Sequence, residues 1–143
     1  METARIEQRA GVRTSPDRIW EVLSDLPGWD RWNPYERGVG GAIAFGGSIT
    51  LTEALPGMAE RRVEARVGDW QPGARLVWVD KRGFLFRVIR LFEIQELEPG
   101  SCIVTSGVQF EGLRGELFHD KHRKGIRAAY SDIVEGLKAA AEG

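Results

Sequence analysis

The chain has 143 residues, enough for one domain with a continuous core, and it carries 20 lysines and arginines against 21 aspartates and glutamates. The net charge of −1 gives no overall field that would attract nucleic acid or an acidic membrane, so neither is expected as a partner. Cys102 is the only cysteine, which excludes an internal disulfide and a thiolate metal cluster.

The sequence pattern predicts a cytoplasmic protein that does not insert into a membrane. Residues 1–10 are charged and lack the apolar run of a signal peptide, and no apolar stretch approaches the roughly 20 residues of a membrane span. The sequence leaves the oligomeric state open, and a homodimer is one option.

The first part of the chain predicts a strand followed by two short helices. Apolar residues alternate from Ala4 to Val12, as expected for a strand with one buried face. Ser15 has the side chain of a helix N-cap and Pro16 suits the first helical position, so a short helix should begin there. Residues 25–34, DLPGWDRWNP, predict a second short helix or turn that ends at Pro34.

The middle of the chain predicts a succession of hairpins. Residues 38–47 hold five glycines, so a strand there should be short and lie at a bend or bulge. Further strands are expected from Ile49, over 59–70, 76–80 and 84–97, and up to Gly112. The Pro-Gly turns between them are too short for the crossovers that parallel strands require, and an antiparallel sheet follows.

The last segment, 115–141, predicts a long amphipathic helix of about 40 Å. Its expected apolar stripe consists of Leu117, Ile126, Tyr130, Ile133 and Leu137. His119 and His122 extend this stripe at the start of the helix, toward an expected cavity. The helix is the only element long enough to cover a sheet of six or seven strands, so the sequence predicts a single α+β domain, 1–143, whose sheet curls round it.

Several segments together resemble the START/polyketide-cyclase-like superfamily, also called SRPBCC, which has the helix-grip fold. They are SPDRIWEVL from Ser15, WDRWNP from Trp29, Gly46-Gly47, PGARLVW from Pro72, Phe92-Glu93-Ile94 before Pro99-Gly100, and Phe110-Glu111-Gly112. The resemblance covers essentially the whole chain. One departure is Ser101-Cys102, which stands where the family commonly has Gly-Thr. The resemblance implies a deep apolar cavity between the sheet and the last helix that holds lipids, polyketides or other hydrophobic molecules.

Six residues are candidates for contact with a ligand in that cavity. They are Trp32, Trp78, Arg90, Phe110, His119 and His122. Arg90 shares its strand parity with Phe86, Val88, Phe92 and Ile94, so its guanidinium either points inward, paired or bound to an anionic group, or is turned outward by a bulge.

The two tryptophans and the two histidines each have a second interpretation. Trp32 and Trp78 either stack on the ligand or pack in the core. His119 and His122 lie three apart on one helical face, where they could bind a polar group or transfer a proton, or could be partly exposed without a role. They lack the third ligand that a zinc site needs, and neither a metal nor a cofactor is expected.

Three functions remain open from the sequence. The leading hypothesis is binding of a small hydrophobic molecule without catalysis. The second is a cyclase or dehydratase in which His119 or His122 acts as acid or base, and the third is a co-chaperone-like interaction module. The third hypothesis requires an exposed apolar patch of several hundred Å².

Overall fold

The computed structural model describes residues 4–143, which form seven strands, two α-helices and one 3₁₀ helix. The elements in chain order are β1 (Ala4–Val12), α1 (Pro16–Ser24), the 3₁₀ helix (Leu26–Arg31), β2 (Glu36–Gly41), β3 (Ser48–Glu53), β4 (Arg61–Gln71), β5 (Arg75–Gly83), β6 (Phe86–Glu98), β7 (Ser101–Glu111) and α2 (Leu113–Glu142). This order confirms the predicted α+β helix-grip fold.

The seven strands form one antiparallel sheet in the order β1-β7-β6-β5-β4-β3-β2. Register shifts interrupt the β2–β3, β4–β5, β5–β6 and β6–β7 pairings, and such bulges bend a sheet and increase its twist. Gly41 ends β2 with a φ of 116°, and a side chain there would overlap the Ser48 carbonyl group. The sheet therefore curls round α2.

The predicted start of α1 and two of the predicted hairpin turns are confirmed. The Ser15 hydroxyl accepts a hydrogen bond from the Arg18 amide at 3.2 Å, and Pro16 is the first helical residue. Gly73 and Gly100 follow their prolines with φ values of 77° and 80°, the left-handed conformation that glycine adopts without strain.

Helix α2 covers the concave face of the sheet with the apolar stripe that ends in Ile126, Tyr130, Ile133 and Leu137, all of them buried. The prediction that Leu117 belongs to this stripe is wrong, since Leu117 is 60% exposed. Leu117 lies nine residues before Ile126, about two and a half turns at 3.6 residues per turn, and so points away from the core. Within residues 4–143, no helix is both long and apolar enough to cross a membrane.

The 3₁₀ helix closes one end of the core through Trp29, which is fully buried. The Trp29 indole N–H donates to the Leu23 carbonyl oxygen at 2.8 Å, so its polar atom is satisfied. Its ring lies 5.6 Å from the ring of Trp78 and 5.2 Å from that of Phe92, between the centroids. This cluster connects the 3₁₀ helix to β5 and β6.

Candidate functional site: a polar-lined cavity under the last helix

The space between the sheet and α2 contains an enclosed cavity of about 20 Å³, enough for roughly one water molecule. Its wall is mostly apolar but includes five charged side chains. The lining residues are Glu36, Leu51, Glu53, Leu55, Val63, Trp78, Asp80, Arg82, Val88, Arg90, Val108, Phe110, Phe118, Ile126 and Tyr130.

A second space, which we call the outer cleft, adjoins the cavity and opens to solvent with a volume of about 500 Å³. Its lining residues are Glu53, Gly57, Met58, Ala59, Glu60, Arg61, Arg82, Phe86, Arg114, Phe118 and His122. Glu53, Arg82 and Phe118 line both spaces, so these three side chains form the partition between the cleft and the enclosed cavity.

Arg90 points inward and forms a buried ion pair with Glu36. Arg90 Nη2 and Nε donate to the two carboxylate oxygens of Glu36 at 2.8 and 2.9 Å, and Arg90 Nη1 donates to the carbonyl oxygens of Leu91 and Gly107. Burial by itself would lower the pKa of Arg90, but the Glu36 carboxylate raises it. All three guanidinium nitrogens are therefore occupied by protein partners.

The surroundings of this pair hold it rigidly. The Arg90 guanidinium lies between two aromatic rings, 4.1 Å from the ring centroid of Phe92 and 4.3 Å from that of Tyr130. The Asn33 side-chain amide donates to Glu36 Oε1 at 3.1 Å, and Asn33 Oδ1 accepts from the Glu36 backbone amide at 2.9 Å. The arrangement supports a structural role for Arg90, since four of its five N–H groups bond to protein partners.

Arg82 is arranged differently. Its Nη2 donates to Glu53 at 2.8 Å and its Nε donates to Asp80 at 2.9 Å. Within residues 4–143, the remaining nitrogen, Nη1, makes no hydrogen bond, although the side chain is only 6% exposed. Arg82 thus presents an unused charged donor where the cavity and the outer cleft meet.

The charges round Arg82 shift the pKa values of the network. Burial lowers the pKa of Arg82 on its own, but the Glu53 and Asp80 carboxylates raise it, and the guanidinium stays charged. Burial raises the pKa of Glu53 above its ordinary value, an effect that Arg82 opposes and Glu36 reinforces. Arg61 lies 3.7 Å from Asp80 and adds a second cation at the cleft side of the network.

Tyr130 contributes a second polar group without a partner. It is 3% exposed and lines the cavity, and its hydroxyl makes no hydrogen bond to any residue in the described part of the chain. Burial raises the pKa of this phenol well above its usual range, so it remains a neutral donor. The fully buried side-chain atoms without a partner in residues 4–143 are Trp32 Nε1, Trp70 Nε1 and Ser106 Oγ. The Tyr130 hydroxyl is not among them, and the residue lines the cavity.

The structure brings three of the six predicted residues together at the cavity, namely Trp78, Arg90 and Phe110. His122 lines the outer cleft, where its ring lies 4.6 Å from the ring of Phe118, between centroids. His119 lines neither space, and its Nδ1 lies 3.0 Å from the Asp120 carboxylate.

Trp32 also lies outside both spaces. It packs against Trp29 with a centroid distance of 5.0 Å, under the last turns of α2. Among residues 4–143, no group of three or more histidine, cysteine, aspartate or glutamate side chains is placed to hold a metal ion.

Sequence reasoning missed Glu36, Glu53, Asp80 and Arg82 as site residues. For two of them the signal was the strand parity that indicated Arg90: Asp80 and Arg82 continue the alternation that begins at the buried Leu76 and Trp78. Glu53 likewise follows the buried Ile49 and Leu51. A charged residue on the buried parity of a strand was therefore available as a signal for three of the four missed residues, Glu53, Asp80 and Arg82.

The fold and the site together define a helix-grip protein whose core space is lined by apolar and paired charged side chains. Among solved structures, the chain is similar to the Zhui aromatase/cyclase from Streptomyces sp. R1128, with 16% identity, a TM-score of 0.76, and coverage of 99% of this chain and 94% of that one. It is similar to a START superfamily protein from Mycobacterium smegmatis, with 18% identity, a TM-score of 0.65, and coverage of 95% and 99%.

A third similar structure is a protein from Thermus thermophilus, TTHA0849, with 14% identity, a TM-score of 0.75 and coverage of 96% of both chains. At these identities the likeness concerns the fold. No curated protein sequence matches significantly. The model of the family described as polyketide cyclase/dehydrase and lipid transport matches residues 3–142, and the chain belongs to this family, within the START/SRPBCC superfamily.

Proposed function

We propose that the protein binds a small, mainly apolar molecule that carries a neutral hydrogen-bond acceptor oxygen, such as a ketone or an ester. The observation that supports this function is the pair of unused donors at one cavity, Arg82 Nη1 and the Tyr130 hydroxyl. An acceptor oxygen between them would satisfy both groups, while the apolar wall would contact the rest of the molecule.

The ligand would occupy the cavity and the outer cleft as one continuous site. The enclosed cavity is too small for a ligand, whereas the adjoining cleft of about 500 Å³ has the volume of a typical small-molecule site. Phe118 is a half-buried side chain in the partition, and a rotation of its ring toward solvent would join the two spaces. Apolar contacts would then contribute about 25 cal/mol per Å² buried.

The balance of charge favours a neutral acceptor over a carboxylate. Arg82 and Arg61 face Glu53 and Asp80, so two positive and two negative charges already balance at this point. An added carboxylate would be repelled by Glu53 and Asp80 in a site of low dielectric constant. A carbonyl oxygen accepts the same hydrogen bonds without this repulsion.

The experiment is extraction of the purified protein with organic solvent, followed by mass spectrometry, for the wild type and two variants. Arg82→Met and Tyr130→Phe remove the two donors, and Arg87→Met removes an exposed arginine of β6 as a matched control. We expect a co-purifying compound with a carbonyl group that is reduced in both site variants and retained in the control. Absence of any compound, together with no thermal shift from a panel of apolar ketones and esters, would reject the proposal.

The acid–base alternative depends on His122, because it lines the outer cleft whereas His119 does not. A polyketide-like substrate that extends from the cavity into the cleft would pass this imidazole, which could then transfer a proton. Turnover of such a substrate should fall in His122→Ala and persist in His119→Ala. Equal turnover in both variants would remove histidine catalysis from consideration.

A further inference from the structure

A hydrophobic patch lies on the outer surface beside the cleft. It consists of Phe84, Leu85, Leu113 and Leu117, which are 79%, 46%, 58% and 60% exposed. Together they expose on the order of 400 Å², which is comparable to the largest apolar patch on a typical monomer, and patches of that size often have a function. We call these four residues the apolar patch.

The four residues share one surface because the β5–β6 turn is bonded to the first turn of α2. The Leu85 carbonyl oxygen accepts from the backbone amides of Arg114 at 3.0 Å and Gly115 at 3.4 Å. The Phe84 carbonyl oxygen accepts from the Arg114 guanidinium at 3.4 Å. Leu113 and Leu117 are four residues apart and so lie on the same face of α2.

The turn keeps two large apolar side chains in solvent at an energetic cost. Leu85 has a φ of 56°, a left-handed conformation that disfavours residues with a β-carbon and is usually taken by glycine or asparagine. Neither Phe84 nor Leu85 gains burial in return. Strain that persists at an exposed apolar position is an observation that points to a binding role.

The charges at the edge of the patch are mainly positive on the side of the cleft. Arg114 and Lys121 are exposed, and Arg114 also lines the outer cleft. Lys81 is exposed as well, in a separate groove that it shares with Leu85 of the patch. At 100° per residue, Arg114 and Lys121 lie on the cleft side of Leu117, while Glu116 and Asp120 lie on its other side. Arg87, next to the turn, is paired with Glu111.

We propose that the apolar patch docks the protein on an anionic lipid surface, with Phe84, Leu85, Leu113 and Leu117 entering the headgroup region and the cations at its edge contacting lipid phosphates. This goes beyond the proposed function and rests on different residues. Apolar side chains bounded by lysine and arginine are the pattern of peripheral membrane binding, in which both contributions add. The net charge of −1 means that attraction comes from this local group of cations, not from the whole chain. Docking here would place the mouth of the outer cleft against the lipid surface.

The test is co-flotation with vesicles of phosphatidylcholine alone or of phosphatidylcholine with phosphatidylserine, and it requires no ligand in the cavity. We expect binding to the phosphatidylserine vesicles that weakens as salt is added. The affinity of the double variant Phe84→Ser/Leu117→Ser for these vesicles should be lower by a factor of about ten or more. Leu97→Ser is the matched control, since Leu97 is 56% exposed near the other end of β6, roughly 36 Å along the strand from Phe86.

A second variant separates docking from stability. Leu85→Asn should raise the melting temperature, because asparagine tolerates a positive φ, and should at the same time weaken vesicle binding. Three outcomes would overturn the proposal. They are the absence of binding to either kind of vesicle, equal losses in Leu97→Ser and the double variant, and a concentration-dependent dimer that the double variant abolishes, which would show that a second copy covers the patch.

Discussion

The buried Arg90–Glu36 pair leads to a prediction about stability that also separates Arg90 from the ligand-binding groups. Both residues are 3% exposed. Arg90→Met would remove four hydrogen bonds, and Glu36→Gln would remove or alter three. Removing one partner leaves the other charge buried and uncompensated, so Arg90→Met and Glu36→Gln should each lower the free energy of unfolding by roughly 3–5 kcal/mol.

The double variant should lose much less than the sum of the two single losses, since it leaves no isolated charge. Urea denaturation is the suitable assay because urea, unlike guanidinium chloride, does not screen ion pairs. The matched control is the exposed pair Arg87–Glu111, for which Arg87→Met should cost no more than about 1 kcal/mol. If the losses at Arg90 and Glu36 simply add within about 0.5 kcal/mol, the pair is not coupled and the reasoning is refuted.

Three further predictions concern α2 and the site. Gly125→Ala should stabilise the protein by about 0.5–1 kcal/mol, because alanine favours the helix and no atom lies within 4 Å of the added methyl group. Gly136→Ala should destabilise it by roughly 1–3 kcal/mol, because the added methyl group would overlap the Trp32 carbonyl oxygen. Thermal melts that rank the two variants the other way would contradict this prediction. Burial raises the pKa of Glu53 above its ordinary 4.5, so the folded state holds the proton of this carboxyl group more tightly than the unfolded chain does. The wild type should therefore lose stability relative to Glu53→Gln as the pH rises from about 4.5 through the raised pKa. A difference in melting temperature that is constant with pH would show that Glu53 titrates as in the unfolded chain. Tyr130→Phe removes a hydroxyl without a protein partner, so urea denaturation should show a change of less than about 0.5 kcal/mol, and a larger loss would reveal a hydrogen bond to Tyr130.

The sequence predicted the fold because its signals are local. The signals are the Ser15 cap with Pro16 and the Pro-Gly pairs at 72–73 and 99–100. Each lies within a few residues of the helix or strand boundary that it sets. Because the turns are short, strands that are consecutive in the chain pair antiparallel. This rule accounts for the order of the sheet from β2 to β7, but not for the pairing of β1 with β7. Leu117 falls outside the buried stripe because the nine residues between it and Ile126 span about two and a half helical turns, which places it on the opposite face of α2.

The site was less predictable because its partners are distant along the chain. Strand parity placed Arg90 on the inner face as one of two options, but its partner Glu36 lies 54 residues earlier on β2, separated from β6 by three strands. The open volume depends on how Phe118 and Phe110 pack, with a centroid distance of 5.3 Å. A resemblance to a cavity-forming family does not specify such side-chain packing, which here leaves an enclosed volume of about 20 Å³.

The most direct test of the central claim compares 2-acetylnaphthalene with 2-ethylnaphthalene, which differ by one carbonyl oxygen, by isothermal titration calorimetry. If Arg82 and Tyr130 hold an acceptor oxygen, the wild type should bind the ketone about 10- to 100-fold more tightly, an advantage of roughly 1–3 kcal/mol that Arg82→Met and Tyr130→Phe reduce and Arg87→Met retains. Equal affinity of the wild type for the two compounds, or an advantage that survives in both site variants, would contradict the account.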